Sequence, residues 1–291
     1  MMFEKYGIPA MFICKSSVLS AFSCGRSTCL VFDSGHSMTY AVPVHDGYAL
    51  QKSMLKFDIA GNWVTSELQK LVEGTMKVNV VPHYKFNKIS RGDQFVAEHL
   101  TNIRDDPSYE QFWKREILRD MKETCLSVGE DLSSSLNNVG NIGMSSNLTN
   151  STYELPDGRL VELGEEKNSI LEKVFYPIKE TPGFFGYHQM ILDTISKGDV
   201  DIRKELSSNI FVCGGNTLFS NFPERLQKQL LNASPQALKI KLILHPSSAE
   251  RKFSSWIGGS ILSSLGTFHQ LWLSKIEYDE HGAMIIERKC A

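Results

Sequence analysis

The sequence predicts an α/β fold. Short apolar, partly β-branched runs alternate with segments whose apolar residues recur at helical spacing. With 291 residues, 42% of them hydrophobic, the chain can bury a substantial core and extend to more than one lobe. Thr28-Cys29-Leu30-Val31-Phe32 reads as a buried strand, and Met38 to Val44 returns after the turn Asp33-Ser34-Gly35-His36-Ser37, which makes a hairpin.

The later elements follow in order. A helix is expected around 109–126, with Ser108 and Gln111 at capping-box spacing and Trp113, Ile117, Leu118 and Met121 along its apolar face. Between Leu132 and Ser151 lie six Ser, five Asn and two Gly, so 132–151 is expected to be a mobile surface loop. Asn221 caps a further helix, with Pro223 in its first turn and Phe222, Leu226 and Leu230 on one face. Residues 237–244 alternate, Leu238, Ile240, Leu242 and Leu244 against Lys239 and Lys241, as in a half-solvated strand. From Ala249 a short basic turn feeds an apolar helix, which Ser254 or Ser255 can cap. Ile257, Ile261, Leu262, Leu265, Phe268 and Trp272 should line one buried face of it. Gly258-Gly259-Ser260 lets another backbone approach that helix closely.

Composition narrows the functional classes. A formal net charge of −2 gives no global pull toward nucleic acid or an anionic membrane. No basic stripe interleaved with aromatics marks a nucleic-acid site, and the short run Lys85 to Arg91 reads as a solvated loop. The six cysteines (14, 24, 29, 125, 213 and 290) form no CxxC pair or zinc spacing, and several sit in strand-like runs, as buried thiols do in a reducing compartment. Glu4, Lys5 and Lys15 break the apolar character of residues 1–22, so no secretory leader is expected there. No stretch approaches the length of a transmembrane helix. Without secretion, the sequons at Asn147, Asn150 and Asn232 are chance matches.

Three segments carry candidate chemistry. A turn of Asp33-Ser34-Gly35 can aim backbone N–H groups and a hydroxyl at phosphate oxygens, and a carboxylate at a strand end can hold a magnesium-bound water. From local sequence alone, an ordinary polar turn is the commoner explanation. Gly214-Gly215-Asn216-Thr217, after the apolar Ile210-Phe211-Val212, would let a flat nucleotide approach the main chain, or would simply turn tightly. Arg119, Lys122 and Glu123 lie three and four residues apart and share a helix face, which most often means a solvated, salt-bridged surface.

Longer strings decide between these alternatives. Ala249-Glu250-Arg251-Lys252-Phe253-Ser254-Ser255-Trp256-Ile257-Gly258-Gly259-Ser260, running on to Trp272, resembles the C-terminal signature of the actin family. Met2 to Met11 resembles that family's segment leading into its hinge helix. Tyr153-Glu154-Leu155-Pro156-Asp157-Gly158 and Asp199-Val200-Asp201-Ile202-Arg203 are also similar to actin. Val44-His45-Asp46-Gly47-Tyr48-Ala49-Leu50-Gln51-Lys52, Phe253-Ser254-Ser255-Trp256 and Leu265-Gly266-Thr267-Phe268-His269-Gln270 look most like the nuclear actin-related protein four class. Its animal relatives are the actin-like subunits of BAF-type remodelling complexes.

The resemblance implies the actin-type ribonuclease-H-like fold, shared with heat-shock ATPases and sugar kinases. It also implies that most of the first lobe is lacking, since the motifs begin about a third of the way along the family. Residues 1–23 would be the hinge-helix region, 24–59 and 183–255 the third subdomain, 60–182 an inserted fourth subdomain, and 256–291 the C-terminal part of the first.

It makes Asp33, Ser34 and Gly35 the second phosphate loop, with Asp33 a weak metal position acting through water. Gly214, Gly215, Asn216 and Phe219 would lie on the adenosine side, and Gly61, Arg119, Lys122, Glu123 and Lys252 would grip base and ribose. The hydrolytic positions are degraded: Ser16 stands where actins carry a water-orienting glutamine, Tyr40 where they carry a histidine, and His36 where they carry a second aspartate. Serine is too short to orient water, and tyrosine is a poor base at neutral pH with an ordinary pKa of about 10.

The implied protein is a nuclear structural subunit of chromatin-remodelling or histone acetyltransferase complexes. It would hold ATP with Mg²⁺ or Ca²⁺ in a longer parent but bind it poorly in this chain, and would turn it over slowly or not at all. Its implied partners are actin and a helical segment of a remodelling ATPase or scaffold subunit, with chromatin reached indirectly. A cytoskeletal actin-like ATPase and a non-functional truncated isoform are the alternatives.

Overall fold

The computed structural model describes residues 1–91, 94–100, 103–129, 151–177, 183–236 and 238–290. In chain order the elements begin with α1 (Met2–Lys5), β1 (Ala10–Met11), α2 (Ser16–Ser23), β2 (Cys29–Ser34), β3 (Thr39–His45), β4 (Tyr48–Ala49) and β5 (Leu55–Phe57). Then come α3 (Gly61–Gln69), running into a π-helical turn at Lys70–Thr75, the hairpin β6 (Phe86–Arg91) and β7 (Gln94–His99), and α4 (Pro107–Cys125). The pair β8 (Ser151–Glu154) and β9 (Leu160–Leu163) precedes α5 (Glu166–Phe175), α6 (Tyr187–Lys197), α7 (Val200–Ser208), β10 (Ile210–Cys213) and α8 (Phe222–Ala233). The chain closes with β11 (Leu242–Ile243), α9 (Ser248–Lys252), α10 (Ser254–Ser263), β12 (Leu273–Ser274), α11 (Lys275–His281) and α12 (Ile285–Lys289). No described helix is long and apolar enough to cross a membrane.

The chain packs as two units. The first comprises Met1–Phe57, His188–Leu218 and Gln227–Ala291, the second Asp58–Tyr187 and Phe219–Leu226. The first is built on a six-stranded mixed sheet in the order β11-β10-β2-β3-β4, with β5 also pairing to β3. β10 runs parallel to both β2 and β11, whereas β3 returns antiparallel to β2. The parallel core strands read Cys-Leu-Val-Phe and Ile-Phe-Val-Cys because both their faces are covered, and each of those residues is buried.

Cys29, Val31, Phe211 and Cys213 turn to one face of this sheet, where Val18 and Ala21 of α2 cover them. α10 in turn lies against α2 at Gly258, which is buried. A Cβ on Gly258 would fall 2.5 Å from the carbonyl carbon of Leu19 and nearer still to its oxygen, so only glycine allows this approach. A second small core joins the two ends of the chain. Phe3, Leu273 and Ile285 are buried together, Phe3 stacks on Tyr278 at 4.7 Å, and β1 pairs with β12.

In the second unit, Phe175, Phe184, Tyr187 and Phe222 pack edge-on or tilted against one another, and the Tyr187 hydroxyl donates to the Ile59 carbonyl at 2.9 Å. Arg225 lies over the Phe175 ring and pairs with Glu172 at 2.8 Å, so its buried guanidinium is both stacked and neutralised.

The structure corrects several expectations. α4 starts at Pro107 with Asp106 as its cap, the Asp106 carboxylate accepting from the Ser108 N–H at 2.8 Å; Ser108 is already inside the helix. Proline favours that first position because its missing N–H would have had no helical partner there.

Burial alternates as expected from Leu238 to Leu242, but only Leu242 and Ile243 pair with β10. Lys241 just before them bonds to the segment leading into β10, its carbonyl accepting from the Ile210 N–H at 3.1 Å and its N–H donating to the Ser207 carbonyl at 3.1 Å. Asn221 precedes α8 with a positive φ of 64°, and its side-chain amide donates to Val128 O at 3.4 Å.

α10 ends at Ser263, so only Leu262 of its expected face is fully buried, and Ile261, Leu265 and Trp272 are exposed. Its cap position is Phe253, with no side-chain cap bond; the Ser254 hydroxyl donates back to Glu250 O and Arg251 O and knits α9 to α10. The basic run from Lys85 is not a loop: 86–91 form β6, and Lys85 pairs with Asp105 and Glu110. The expected loop at 132–151 lies outside the described residues except for Ser151, which opens β8.

Two predictions follow from this packing. Gly258→Ala should lower stability by about 3 kcal/mol, whereas Gly259→Ala, which meets only the Leu19 side chain at 3.6 Å, should leave the thermal midpoint nearly unchanged. Glu277 accepts from Lys289 at 2.6 Å and from the Ser274 N–H and hydroxyl, and these donors hold its carboxyl down at about 2. A carboxyl lowered in the folded state stabilises it above the unfolded value, and that contribution fades as pH falls toward the folded one. Glu277→Gln should therefore lower the melting temperature at pH 7, and the difference from wild type should disappear as pH drops from about 4.5 to about 2.

Candidate functional site

In the first unit the site grows from the paired ends of β2 and β10. Their register sets Cys213 beside Asp33, so both strands end together and the turns that follow them meet. The β2–β3 turn is closed by the Gly35 N–H on the Met38 carbonyl at 3.1 Å. Beneath it Ser34 is fully buried. Its hydroxyl shares a hydrogen bond with Thr39 Oγ1 at 2.8 Å and accepts from Asn216 Nδ2 at 3.0 Å.

Gly214 carries the chain under this turn at φ 93°, where a Cβ would lie 2.5 Å from Asp33 Oδ1 and 2.6 Å from the Ser34 carbonyl carbon. Its N–H donates to Arg251 O at 3.0 Å, and its own carbonyl accepts from the Thr217 hydroxyl at 2.8 Å. The aliphatic stem of Lys252 passes Gly215, with Cγ 3.7 Å from where a Cβ would stand. The loop is thus fixed from below by side-chain and backbone bonds.

Above it opens a shallow concavity of about 240 Å³ lined by Asp33, Gly35, His36, Ser37, Met38 and Tyr40. Asp33 is half-buried, and burial pushes its carboxyl above the ordinary carboxylate value. His36 and Ser37 at the tip are exposed, and the Tyr40 hydroxyl donates to the Met38 thioether at 3.1 Å. Cys213, on the buried side, has its thiol held protonated by burial and then by the charge of Asp33. All six cysteines are free; Cys29, Cys125 and Cys213 are buried, whereas Cys14, Cys24 and Cys290 are only half-buried.

The second unit carries the rest of the expected set. Gly61 opens α3, and the buried Lys122 of α4 donates to its carbonyl at 3.2 Å. Arg119 is exposed and pairs with Glu116 at 2.6 Å, one turn back on the same helix, and Glu123 is exposed. Phe219 is 9% exposed. Asp33, Ser34, Gly35, His36, Tyr40, Gly214, Gly215, Asn216 and Lys252 therefore come together in one unit, and Gly61 and Lys122 touch in the other. Ser16 is exposed at the first turn of α2 and does not line the concavity.

Sequence reasoning missed Thr39 and Arg251. Thr39 faces Ser34 across the hairpin, so its role was visible once the strand register was known. Arg251 acts through its carbonyl, which no side-chain pattern reports.

The family model for actin matches residues 1–291, the whole chain. The chain belongs to the actin family. Among curated proteins it is 38% identical over 303 aligned residues to "Actin-related protein 4" of Arabidopsis thaliana, covering all of this chain and 67% of that protein. It is 39% identical over 304 residues to the proteins of the same name from Oryza sativa subspecies indica and japonica, again covering all of this chain and 66% of each. The chain thus spans about two thirds of the length of the curated relatives it matches. Membership carries the α/β, actin-type fold with it.

Of the groups lining the concavity, only the Asp33 carboxylate suits a hard dication, which would be held there through water and the ligand's own oxygens. Asp33 is the single carboxylate, beside an imidazole, a thioether, a serine hydroxyl and a phenol. Among the described residues no group of three or more His, Cys, Asp or Glu side chains is arranged to hold a metal ion.

Ser34→Ala would remove the hydroxyl that bonds both Thr39 and Asn216 within a buried network. Its expected cost is about 1–3 kcal/mol in chemical denaturation. Ser37→Ala, at the exposed tip, should stay within about 0.5 kcal/mol of wild type.

Proposed function

We propose that this chain is an actin-related structural subunit of nuclear chromatin-remodelling or histone acetyltransferase complexes, a nucleotide-binding actin fold with little or no hydrolysis. The observation that carries the reading is the condition of the phosphate turn. Its supports are intact: the Ser34–Thr39–Asn216 network, and Gly214 pressed under Asp33. Its reactive complement is altered, with His36 and Tyr40 lining the concavity and Ser16 away from it. A turn braced in this way suits holding phosphates. Activating water needs an orienting group and a base of suitable pKa, for which Ser16 and Tyr40 are poor choices.

Similarity over the full chain to proteins named actin-related protein 4 supports the subfamily. The ligand proposed is ATP, with its phosphates on the Asp33–Gly35 turn. In the same unit Gly214, Gly215, Asn216 and Lys252 are proposed to contribute on the adenosine side. The proposed partners are actin and a helix of a remodelling ATPase or scaffold subunit, with chromatin reached through the assembly.

The test is to purify the protein and follow ATP retention, phosphate release and sedimentation together. Weak ATP binding without phosphate release or pelletable filaments is expected from this chain, along with co-purification of actin from nuclear extract. Turnover and polymerisation at the rates of conventional actin would overturn the reading. The variant Tyr40→His, on the wall of the concavity, should raise phosphate release by about 10²-fold, the lower end of what a positioned acid–base group contributes.

A further inference from the structure

We propose that Cys24 and Cys29 are a peroxide-reactive dithiol, with Cys24 as the thiol that attacks and Cys29 as the partner that closes a disulfide with it. Cys29 opens β2, and the turn that carries the nucleotide reading follows the far end of that strand, so the inference does not rest on that reading.

Four residues separate the two cysteines, and the backbone folds them back on one another. Cys24 is the C-cap of α2. Beyond it Gly25 turns at a φ of 66°, its N–H donating to the Phe22 carbonyl at 3.1 Å and the Arg26 N–H to the Ala21 carbonyl at 3.1 Å. These are the paired bonds by which a left-handed residue closes a helix. The far end of the turn is tied as well. The Ser27 carbonyl accepts from the Gly47 N–H at 2.8 Å, and the Thr28 hydroxyl accepts from the Asp46 N–H at 3.2 Å. Cys29 lies in the core on the face that α2 covers, and Cys24 packs against that same core. The two side chains hydrogen-bond to each other, and both thiols are free.

Their surroundings differ as an attacking and a resolving thiol require. Cys24 is half-buried beside the exposed Gly25, Arg26 and Ser27, within reach of a small oxidant, whereas Cys29 is fully buried. The bond from Cys29, with Arg26 behind it, holds the Cys24 thiol below its ordinary value against the opposing effect of burial. Donating that bond keeps Cys29 protonated. Cys14, another half-buried thiol, is pushed up by burial instead.

The Cys24 thiolate attacks one oxygen of hydrogen peroxide. An S–O bond forms, the O–O bond breaks, and hydroxide leaves and takes up a proton, which gives a sulfenic acid. The Cys29 sulfur then attacks the Cys24 sulfur: the S–S bond forms, the S–O bond breaks, and water leaves with the Cys29 proton. Two thiols are oxidised to a disulfide and one peroxide is reduced to two waters. Oxidation of Cys24 also removes the thiolate that held the Cys29 proton, so the first step readies the nucleophile for the second.

The experiment treats the 291-residue chain with hydrogen peroxide, blocks the remaining thiols with iodoacetamide and digests with trypsin without reduction. Cleavage after Lys15, Arg26 and Lys52 leaves each cysteine alone in its own peptide, 16–26 and 27–52. The expected result is that these two peptides run as one species, which dithiothreitol separates, at peroxide levels that leave Cys14 and Cys290 alkylated. In Cys29→Ala, dimedone should label Cys24, a mark of sulfenic acid, and wild type should lose most of that label because Cys29 resolves it. Cys24→Ser should leave Cys29 reduced. If peptides 16–26 and 27–52 stay separate in oxidised wild type, whichever other thiol has reacted, the proposal fails. Equal dimedone labelling of Cys24 in wild type and Cys29→Ala would overturn it as well. Should Cys29→Ala prove insoluble, linkage of the two peptides in wild type decides alone.

Discussion

Everything in the first unit depends on the parallel pairing of β2 with β10. Because the two strands run the same way and end level, Asp33 and Cys213 come side by side, and the two turns leaving them must pass within van der Waals distance. Only glycine at 214 allows that crossing, since any Cβ there would collide with Asp33 and with the Ser34 backbone. The crossing in turn brings Asn216 under the Ser34 hydroxyl, and the hydroxyl carries the brace on to Thr39 across the hairpin. One register therefore fixes a strand end, a glycine, and a buried polar network that holds the turn from beneath.

The same sheet explains why the helices sit where they do. Cys29, Val31, Phe211 and Cys213 make an apolar face that Val18 and Ala21 of α2 cover, and α10 packs on α2. The second contact is backbone against backbone at Gly258 and Leu19, which leaves little freedom for either helix to slide. The thiols on that face are held protonated, Cys29 by its hydrogen bond with Cys24 and then by burial, Cys213 by burial first.

How much of this was legible in the sequence depended on whether a feature was written in side chains or in backbone. The hairpin was, because apolar β-branched runs on either side of a polar turn allow few other readings; the observed strands begin one residue later than expected. The close approach at Gly258 was also readable, from three small residues in an apolar helix.

Where α4 begins was misread because Ser108 satisfied a motif whose geometry Pro107 had already pre-empted. The buried stripe continuing to Trp272 was misread because spacing does not show where a helix stops, and α10 stops at Ser263. Of the site, Asp33 to Gly35 and the glycine pair stood out only through resemblance. Locally both are ordinary turns, and what distinguishes them is the register that brings them together. Arg251 was invisible in principle, because its contribution is a main-chain carbonyl that any residue could supply.

A turn that keeps its supports while its reactive positions change has a physical rationale on the proposed reading. A ligand that binds only the folded chain stabilises it by an amount set by its concentration relative to its dissociation constant, about 2.7 kcal/mol at a hundredfold excess. That gain needs affinity and slow loss, and chemistry at the γ-phosphate would work against both by converting the ligand into a different one. Selection for a steady structural ligand would therefore keep Ser34, Gly214 and Asn216, which position donors, and would relax Ser16 and Tyr40, which in a hydrolase would position water. On that reading the intact brace and the altered rim would be two consequences of one requirement, that a bound ligand stay where it is.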